Sequence, residues 1–128
     1  MCGYIKVKNF DISSSYVYKN EQQKENNILH IQFIINHIHN FVFPCYEENI
    51  VDIISDFKDI IKGKSKTLSL NFNNNYNFIK FEKNYVEISL LNELIYENIR
   101  INQENKISFE NNNIIRNSMR DFILRNNL

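Results

Sequence analysis

The spacing of apolar residues changes abruptly after Pro44, and this change constrains the fold more than any other feature of the sequence. Between residues 47 and 62 the apolar side chains recur at steps of three and four, which places them on one face of an amphipathic helix. They are Ile50, Ile53, Ile54, Phe57, Ile60 and Ile61. Glu47 and Glu48 suit the positive end of the helix dipole, and Gly63 suits a left-handed stop after Lys62. The sequence therefore predicts a helix from Glu47 to Lys62.

On both sides of this helix the apolar residues alternate instead, as they do in half-buried strands. Before it, strands are predicted at residues 4–12, 16–18 and 28–35, with Phe41 and Phe43 resuming the alternation and a polar surface loop at 20–27. After it, strands are predicted at 66–72, 78–82, 85–91 and 94–102, with a strand stub at 107–109. Asn111 or Asn112 could cap a terminal helix with an apolar side formed by Ile114, Ile115, Met119, Phe122 and Ile123.

The order strands, helix, strands, helix favours an α+β fold, in which two amphipathic helices pack on one face of a mostly antiparallel meander sheet. A chain of 128 residues without a long linker predicts a single domain over residues 1–128. The open edge of such a meander would permit a homodimer.

Charge and cysteine content exclude several classes of protein. Lys and Arg number 15, as do Asp and Glu, so the formal charge is zero and a protein that mainly coats nucleic acid or an anionic membrane is disfavoured. Cys2 and Cys45 have neither disulfide-scaffold nor zinc-finger spacing. The chain also lacks a long apolar run and a signal-peptide pattern. We therefore expect a soluble cytoplasmic protein that has no membrane partner and does not bind nucleic acid directly.

Two chemical alternatives deserve testing. His30, His37, His39 and Cys45 could supply metal ligands, since a His-Ile-His step on a strand puts both imidazoles on one side. The other interpretation is a polar turn over Asn36 to Asn40 whose histidines face water. Tyr76, Phe78, Phe81 and Tyr85 interleave with Lys80 and Lys83, as in a platform for stacking single-stranded bases. Neither set has a specific signature, and no glycine-rich phosphate loop or nucleophile elbow occurs. The expectation is a non-catalytic protein without metal or cofactor, with a small metal-binding enzyme built on His37 and His39 as an alternative.

Acidic residues along the central helix form the candidate binding site. Glu48, Asp52, Asp56 and Asp59 advance by four, four and three residues, so they form one stripe. Lys58 is the only basic residue between Glu47 and Ile61. Any amphipathic helix has a solvated charged face, and this is one interpretation of the stripe. The other is a surface complementary to a basic protein partner.

The overall pattern resembles small bacterial immunity proteins, the antidotes to polymorphic or contact-dependent growth-inhibition toxins, and in particular the WapI-like group. The resemblance covers residues 28–125: a strand with Phe41 and Phe43, the helix with Ile50, Ile54, Phe57 and Ile61, Gly63, strands over 67–102, and the segment 107–123. It implies a non-catalytic protein that binds a cognate protein toxin, such as a nuclease, and neutralises it by covering its active site. A phage- or plasmid-encoded inhibitor, such as an anti-CRISPR protein, is the alternative of the same size and composition.

Overall fold

The computed structural model describes residues 3–16, 28–71 and 77–126. These residues form seven strands and two α-helices, in this order: β1 (Phe10–Tyr16), β2 (Ile28–Ile35), β3 (His39–Tyr46), α1 (Ile50–Ile61), β4 (Lys66–Ser69), β5 (Phe78–Phe81), β6 (Tyr85–Tyr96), β7 (Ile99–Glu110) and α2 (Asn113–Arg125). The α+β prediction is confirmed. The polar loop predicted at 20–27 and the strand predicted at 16–18 lie, apart from Tyr16, outside the described residues.

The strands form two antiparallel sheets rather than one. The first has the order β1-β2-β3 and the second β4-β5-β6-β7, and helix α1 connects the last strand of one to the first strand of the other. A parallel bridge adds Ile5 to the outer edge of β7: its N–H donates to the Ser108 carbonyl at 3.0 Å, and its carbonyl accepts from the Glu110 N–H at 2.8 Å. The segment predicted as a strand over 4–12 is thus shared between the sheets, because its first half meets β7 and its second half belongs to β1.

Phe33 stands at the centre of the single core that both sheets and the helices share. Its ring lies 5.3 Å from those of Phe10 and Phe43, 6.0 Å from Phe57 and 6.2 Å from Phe81, measured between centroids. These rings come from β1, β3, α1 and β5. Aromatic burial of this kind is among the largest contributions that single side chains make to folding.

Both predicted helices are present, and their ends follow the local sequence signals. Residues Glu47–Asn49 form a short 3₁₀ turn that leads into α1, and Gly63 has a φ of 86°, which is the left-handed conformation expected after the last turn. Asn112 caps α2 by accepting a hydrogen bond from the Ile114 N–H at 3.0 Å. None of the helices in the described ranges is both long and apolar enough to cross a membrane.

The second half of the meander is a hairpin longer than predicted. A break was expected between Leu91 and Leu94, but β6 continues to Tyr96 and turns at Glu97 and Asn98, whose φ angles are 50° and 65°. Two positive φ values are typical of the tight turn that matches strand twist. The polar pair Asn92 and Glu93 did not end the strand, because register places these two opposite the polar residues Gln103 and Asn102.

The acidic face of helix α1

We use the term acidic face for Glu48, Asp52, Asp56 and Asp59. Asp52, Asp56 and Asp59 lie on α1, away from its buried residues Ile54, Phe57 and Ile60, and Glu48 lies in the preceding 3₁₀ turn. Glu48 and Asp52 are exposed, whereas Asp56 and Asp59 are half-buried. The predicted stripe is therefore present, but its two halves differ in environment.

Two lysines that follow the helix neutralise the second half of the acidic face. Lys66 Nζ lies 3.2 Å from Asp59 Oδ2 and 3.5 Å from Asp56 Oδ1, and Lys64 Nζ lies 3.7 Å from Asp59 Oδ1. Lys66 reaches the helix because its register partner in β5 is Phe81, a core residue, and paired residues share a face of the sheet. The bond from Lys66 lowers the pKa of Asp59, and the same bond with the charge of Asp56 raises the pKa of Lys66.

The first half of the acidic face keeps its charge. Among the residues that the structure describes, no ion pair involves Glu48 or Asp52. Both lie at the start of α1, where the helix dipole favours negative charge. Nearby, the Tyr16 hydroxyl donates to Glu47 Oε1 at 2.7 Å, and this bond raises the pKa of Tyr16. The uncompensated negative charge is thus concentrated at the N-terminal end of the helix.

An open groove adjoins this region between the ends of β3 and β4. Its walls include Pro44, Cys45, Asn49 and Asp56 on one side and Thr67–Ser69 on the other. The thiol of Cys45 is buried and donates to the Tyr46 carbonyl at 3.2 Å. Burial raises its pKa, and the charge of Asp52 raises it further. A raised pKa disfavours the thiolate, so Cys45 lacks the property that activates a nucleophilic cysteine.

The histidines do not converge. His37 has a φ of 62° in the turn between β2 and β3, so the expectation that it shares one side of a strand with His39 is wrong. The ring of His39 packs edge-on against Phe109 with 5.0 Å between centroids, and His30 lies opposite Pro44 at the far end of the hairpin. Within the described ranges, no group of three or more His, Cys, Asp or Glu side chains could hold a metal ion.

Only part of the predicted aromatic platform shares one face of the sheet. Phe81 is fully buried in the core, while Phe78 and Tyr85 are half-buried and occupy the opposite face of the sheet by strand alternation. Tyr85 stacks on Tyr4 with 5.2 Å between ring centroids. Lys80 pairs with Glu82 at 3.5 Å, and Tyr76 lies outside the described residues.

Sequence reasoning missed the role of Lys64 and Lys66. Their clustering beyond the helix was visible, but the fold alone shows that they turn back to Asp56 and Asp59. It also missed a repeated contact on α2, where Arg116 and Arg120 each donate at 2.8 Å to the side chain of the Asn three residues earlier. The Asn-x-x-Arg spacing, at 113–116 and 117–120, was the available signal. Both arginines are thereby oriented on a surface other than the acidic face.

Comparison of the chain with protein-family models, with characterised proteins and with solved structures found no match.

Proposed function

We propose that this protein is a non-catalytic immunity protein, which binds and neutralises a cognate protein toxin by covering the toxin's active site. The observation that carries the proposal is the uncompensated negative charge of Glu48 and Asp52 at the exposed start of α1. The resemblance in element pattern to WapI-like immunity proteins is its other support.

The division of the acidic face refines which residues would meet the partner. Asp56 and Asp59 already form ion pairs within the chain, so a partner would have to compete with Lys64 and Lys66 for them. Glu48 and Asp52 have no such competitor among the described residues. They therefore dominate the proposed interface, while Asp56 and Asp59 form its less charged border.

The partner's chemistry follows from this charge. A toxin that cleaves nucleic acid needs a basic cleft for phosphates, and carboxylates spaced along a helix can occupy such a cleft in their place. Opposite charges also accelerate encounter, so the association rate should fall steeply as salt is added. The proposal is thus a protein partner with a basic, phosphate-binding cleft.

The deciding experiment is to co-express the tagged protein with the product of the adjacent reading frame, purify any complex and titrate the two proteins by calorimetry. A one-to-one complex of nanomolar or tighter affinity, with loss of the partner's toxicity, supports the proposal. Absence of a complex overturns it. A complex in which the partner is instead a host enzyme that defends against phages or plasmids would favour a phage- or plasmid-encoded inhibitor.

The site is tested separately from the function with the double variant Glu48→Lys, Asp52→Lys. We expect its dissociation constant to rise by more than about tenfold, mainly through slower association, since rim charges act on the on-rate. The matched control is Asp121→Lys, which reverses an exposed acid on α2. Equal affinities for the double variant and the wild-type protein would exclude the acidic face while leaving the immunity function standing.

A further inference from the structure

The edge strands of the two sheets are not equally protected. The outer edge of β1 is covered by α2, because Ser118 Oγ donates to the Phe10 carbonyl and Arg125 Nη2 donates to the Ile12 carbonyl at 2.7 Å. Unpaired strand edges invite pairing with another chain, and covering them with a helix is a common protection. The first half of this edge is therefore closed to a new strand.

The edges next to the groove are protected in other ways. Strand β3 contains Pro44, which has no N–H to offer to a neighbouring strand, and β4 has only four residues. Proline and short length both discourage strand addition. At the end of β7, the backbone of Ile5 is already hydrogen-bonded to the Ser108 carbonyl and the Glu110 N–H.

Along the remainder of β7 the protection is limited to charged side chains such as Glu104 and Lys106, because no helix, proline or paired segment among the described residues covers it. The bonds to Ile5 show that Ser108 and Glu110 turn their backbone groups outward, and strand alternation gives the same direction to Arg100, Asn102, Glu104 and Lys106. Strand β6 pairs with these four residues on their inner side, and no strand in the described part of the chain pairs with them on the outer side. They form an open edge, and Gln103, Glu104, Asn105 and Lys106 are exposed.

The ends of β6 and β7 next to the hairpin turn form a two-stranded ribbon. Strand β5 pairs with β6 only as far as Ser89, so residues 90–96 and 99–105 pair with each other alone among the described strands. A hairpin of two strands is at best marginally stable in water. An additional strand along β7 would stabilise it.

Strand geometry and charge favour one way for two copies of β7 to pair, because an axis at Ile101, which is also free of conflict, would set Arg100 against Asn102 and form no opposite-charge pair. In an antiparallel pair, residues whose backbone groups point toward the partner strand must lie opposite each other. A two-fold axis can therefore pass through a residue position but not between two residues. An axis at Gln103 would set Arg100 against Lys106, and an axis at Glu104 would set two glutamates against each other. An axis at Asn105 would need the positions that Ile5 occupies.

An axis at Asn102 avoids all three conflicts. Arg100 is then in register with Glu104 of the second copy, and symmetry makes this opposite-charge pair twice. Within its own chain Glu104 Oε1 lies 3.6 Å from Lys106 Nζ and accepts from Ser89 Oγ at 3.3 Å, so Arg100 of the second copy would share this exposed carboxylate with them. Ile101 lies opposite Gln103 and Ile99 opposite Asn105, so no like charges meet. The positions bonded to Ile5 stay free of the second copy.

We propose that two copies of this chain form a symmetric dimer, in which their β7 strands pair antiparallel about Asn102 and join the two four-stranded sheets into one. This interface lies on β7 and not on the acidic face, so it does not rest on the proposed function.

The test is sedimentation equilibrium of the full chain, with Arg100→Glu, Glu104→Arg and the double exchange of both. Each single variant sets like charges opposite each other twice, and we expect the dimer dissociation constant to rise about tenfold. The double exchange restores opposite charges and should return the constant close to that of the wild-type protein. A monomer at every concentration, or a dimer dissociation constant that is the same in all three variants, would overturn the proposal.

Oxidative cross-linking tests the register itself. In a Cys2→Ser background, Asn102→Cys should form a disulfide-linked dimer readily, since the two Cα atoms of such a pair lie about 5.5 Å apart. Asn105→Cys is the matched control, because its two copies would be about 20 Å apart at the rise of an extended strand. Faster cross-linking at residue 105 than at residue 102 would contradict the register.

Discussion

Lys66, the first residue of β4, binds Asp59 of α1 at 3.2 Å and thereby joins the second sheet to the helix that precedes it. The same ammonium group lies 3.5 Å from Asp56. One side chain therefore removes much of the charge from half of the acidic face. This contact both supports the fold and defines which carboxylates remain for a partner.

We expect Lys66→Met to make the free energy of unfolding less sensitive to low pH. The pKa of Asp59 is lower in the folded protein than in the unfolded chain. It therefore contributes stability above the unfolded value of about 3.9, which is lost as the pH falls through the lower folded value. Urea unfolding at pH 7 and at steps down to pH 3 measures this contribution. Lys58→Met, at an exposed site on the same helix, should leave the pH profile unchanged.

Cys45 should react slowly with thiol reagents in the folded protein. The residue is 5% exposed, and burial, followed by the charge of Asp52, raises the pKa of its thiol. In a Cys2→Ser variant, the rate of labelling at pH 8 should rise strongly on adding denaturant. Asp52→Asn should speed labelling of the folded form by lowering the pKa. Rapid labelling without denaturant would contradict the buried position.

Phe33→Ala should cost about 3–5 kcal/mol in free energy of unfolding, the usual range for removing a core phenylalanine. The ring contacts four others from β1, β3, α1 and β5. Because this loss could unfold a marginal domain, Phe33→Leu provides a milder second measurement. Phe78→Ala, at a half-buried site, should cost less than Phe33→Ala. Equal losses at both sites would argue against Phe33 as the centre of the core.

The turn at Glu97 and Asn98 should be stabilised by the double substitution Glu97→Asn, Asn98→Gly. Both residues have positive φ, and Asn-Gly is the preferred pair for such a turn. We expect the free energy of unfolding to rise by about 1 kcal/mol, because glycine avoids the steric cost that other residues meet at positive φ, and thermal or urea unfolding measures this change. Replacement of both by alanine should instead destabilise the hairpin. A lower free energy of unfolding in the Asn-Gly variant would place the turn elsewhere.

Asn112 should have two separable roles. Its Oδ1 caps α2, and its Nδ2 donates to the Val7 carbonyl at 2.9 Å. Asn112→Ala should cost about 1 kcal/mol or more, whereas Asn112→Asp keeps the cap and loses the bonds that Nδ2 donates to the Val7 carbonyl and to Glu110 Oε1. Hydrogen exchange at Ile5 and Glu110 should speed up in both variants. Unchanged exchange in Asn112→Asp would show that the bond to Val7 does not hold the N-terminal segment.

Local signals predicted the elements and many of their ends. The spacing of Ile50 to Ile61 predicted α1, Gly63 predicted its stop, and the cap of α2 was predicted at Asn111 or Asn112, because these depend on residues within a few positions of each other. The hairpin turn was misplaced for the converse reason. Asn92 and Glu93 resemble a turn locally, but pairing with Gln103 and Asn102 keeps them in a strand.

The sequence by itself determined the α+β class, both helices, the alternating strands and the acidic stripe, since hydrophobic period and charge spacing are encoded along the chain. Tertiary structure alone decided that the strands divide into two sheets, that His37 and His39 separate, and that Lys66 folds back on Asp59. It also decided which edge of β7 remains open. These outcomes depend on contacts between residues distant in sequence, which no local period specifies.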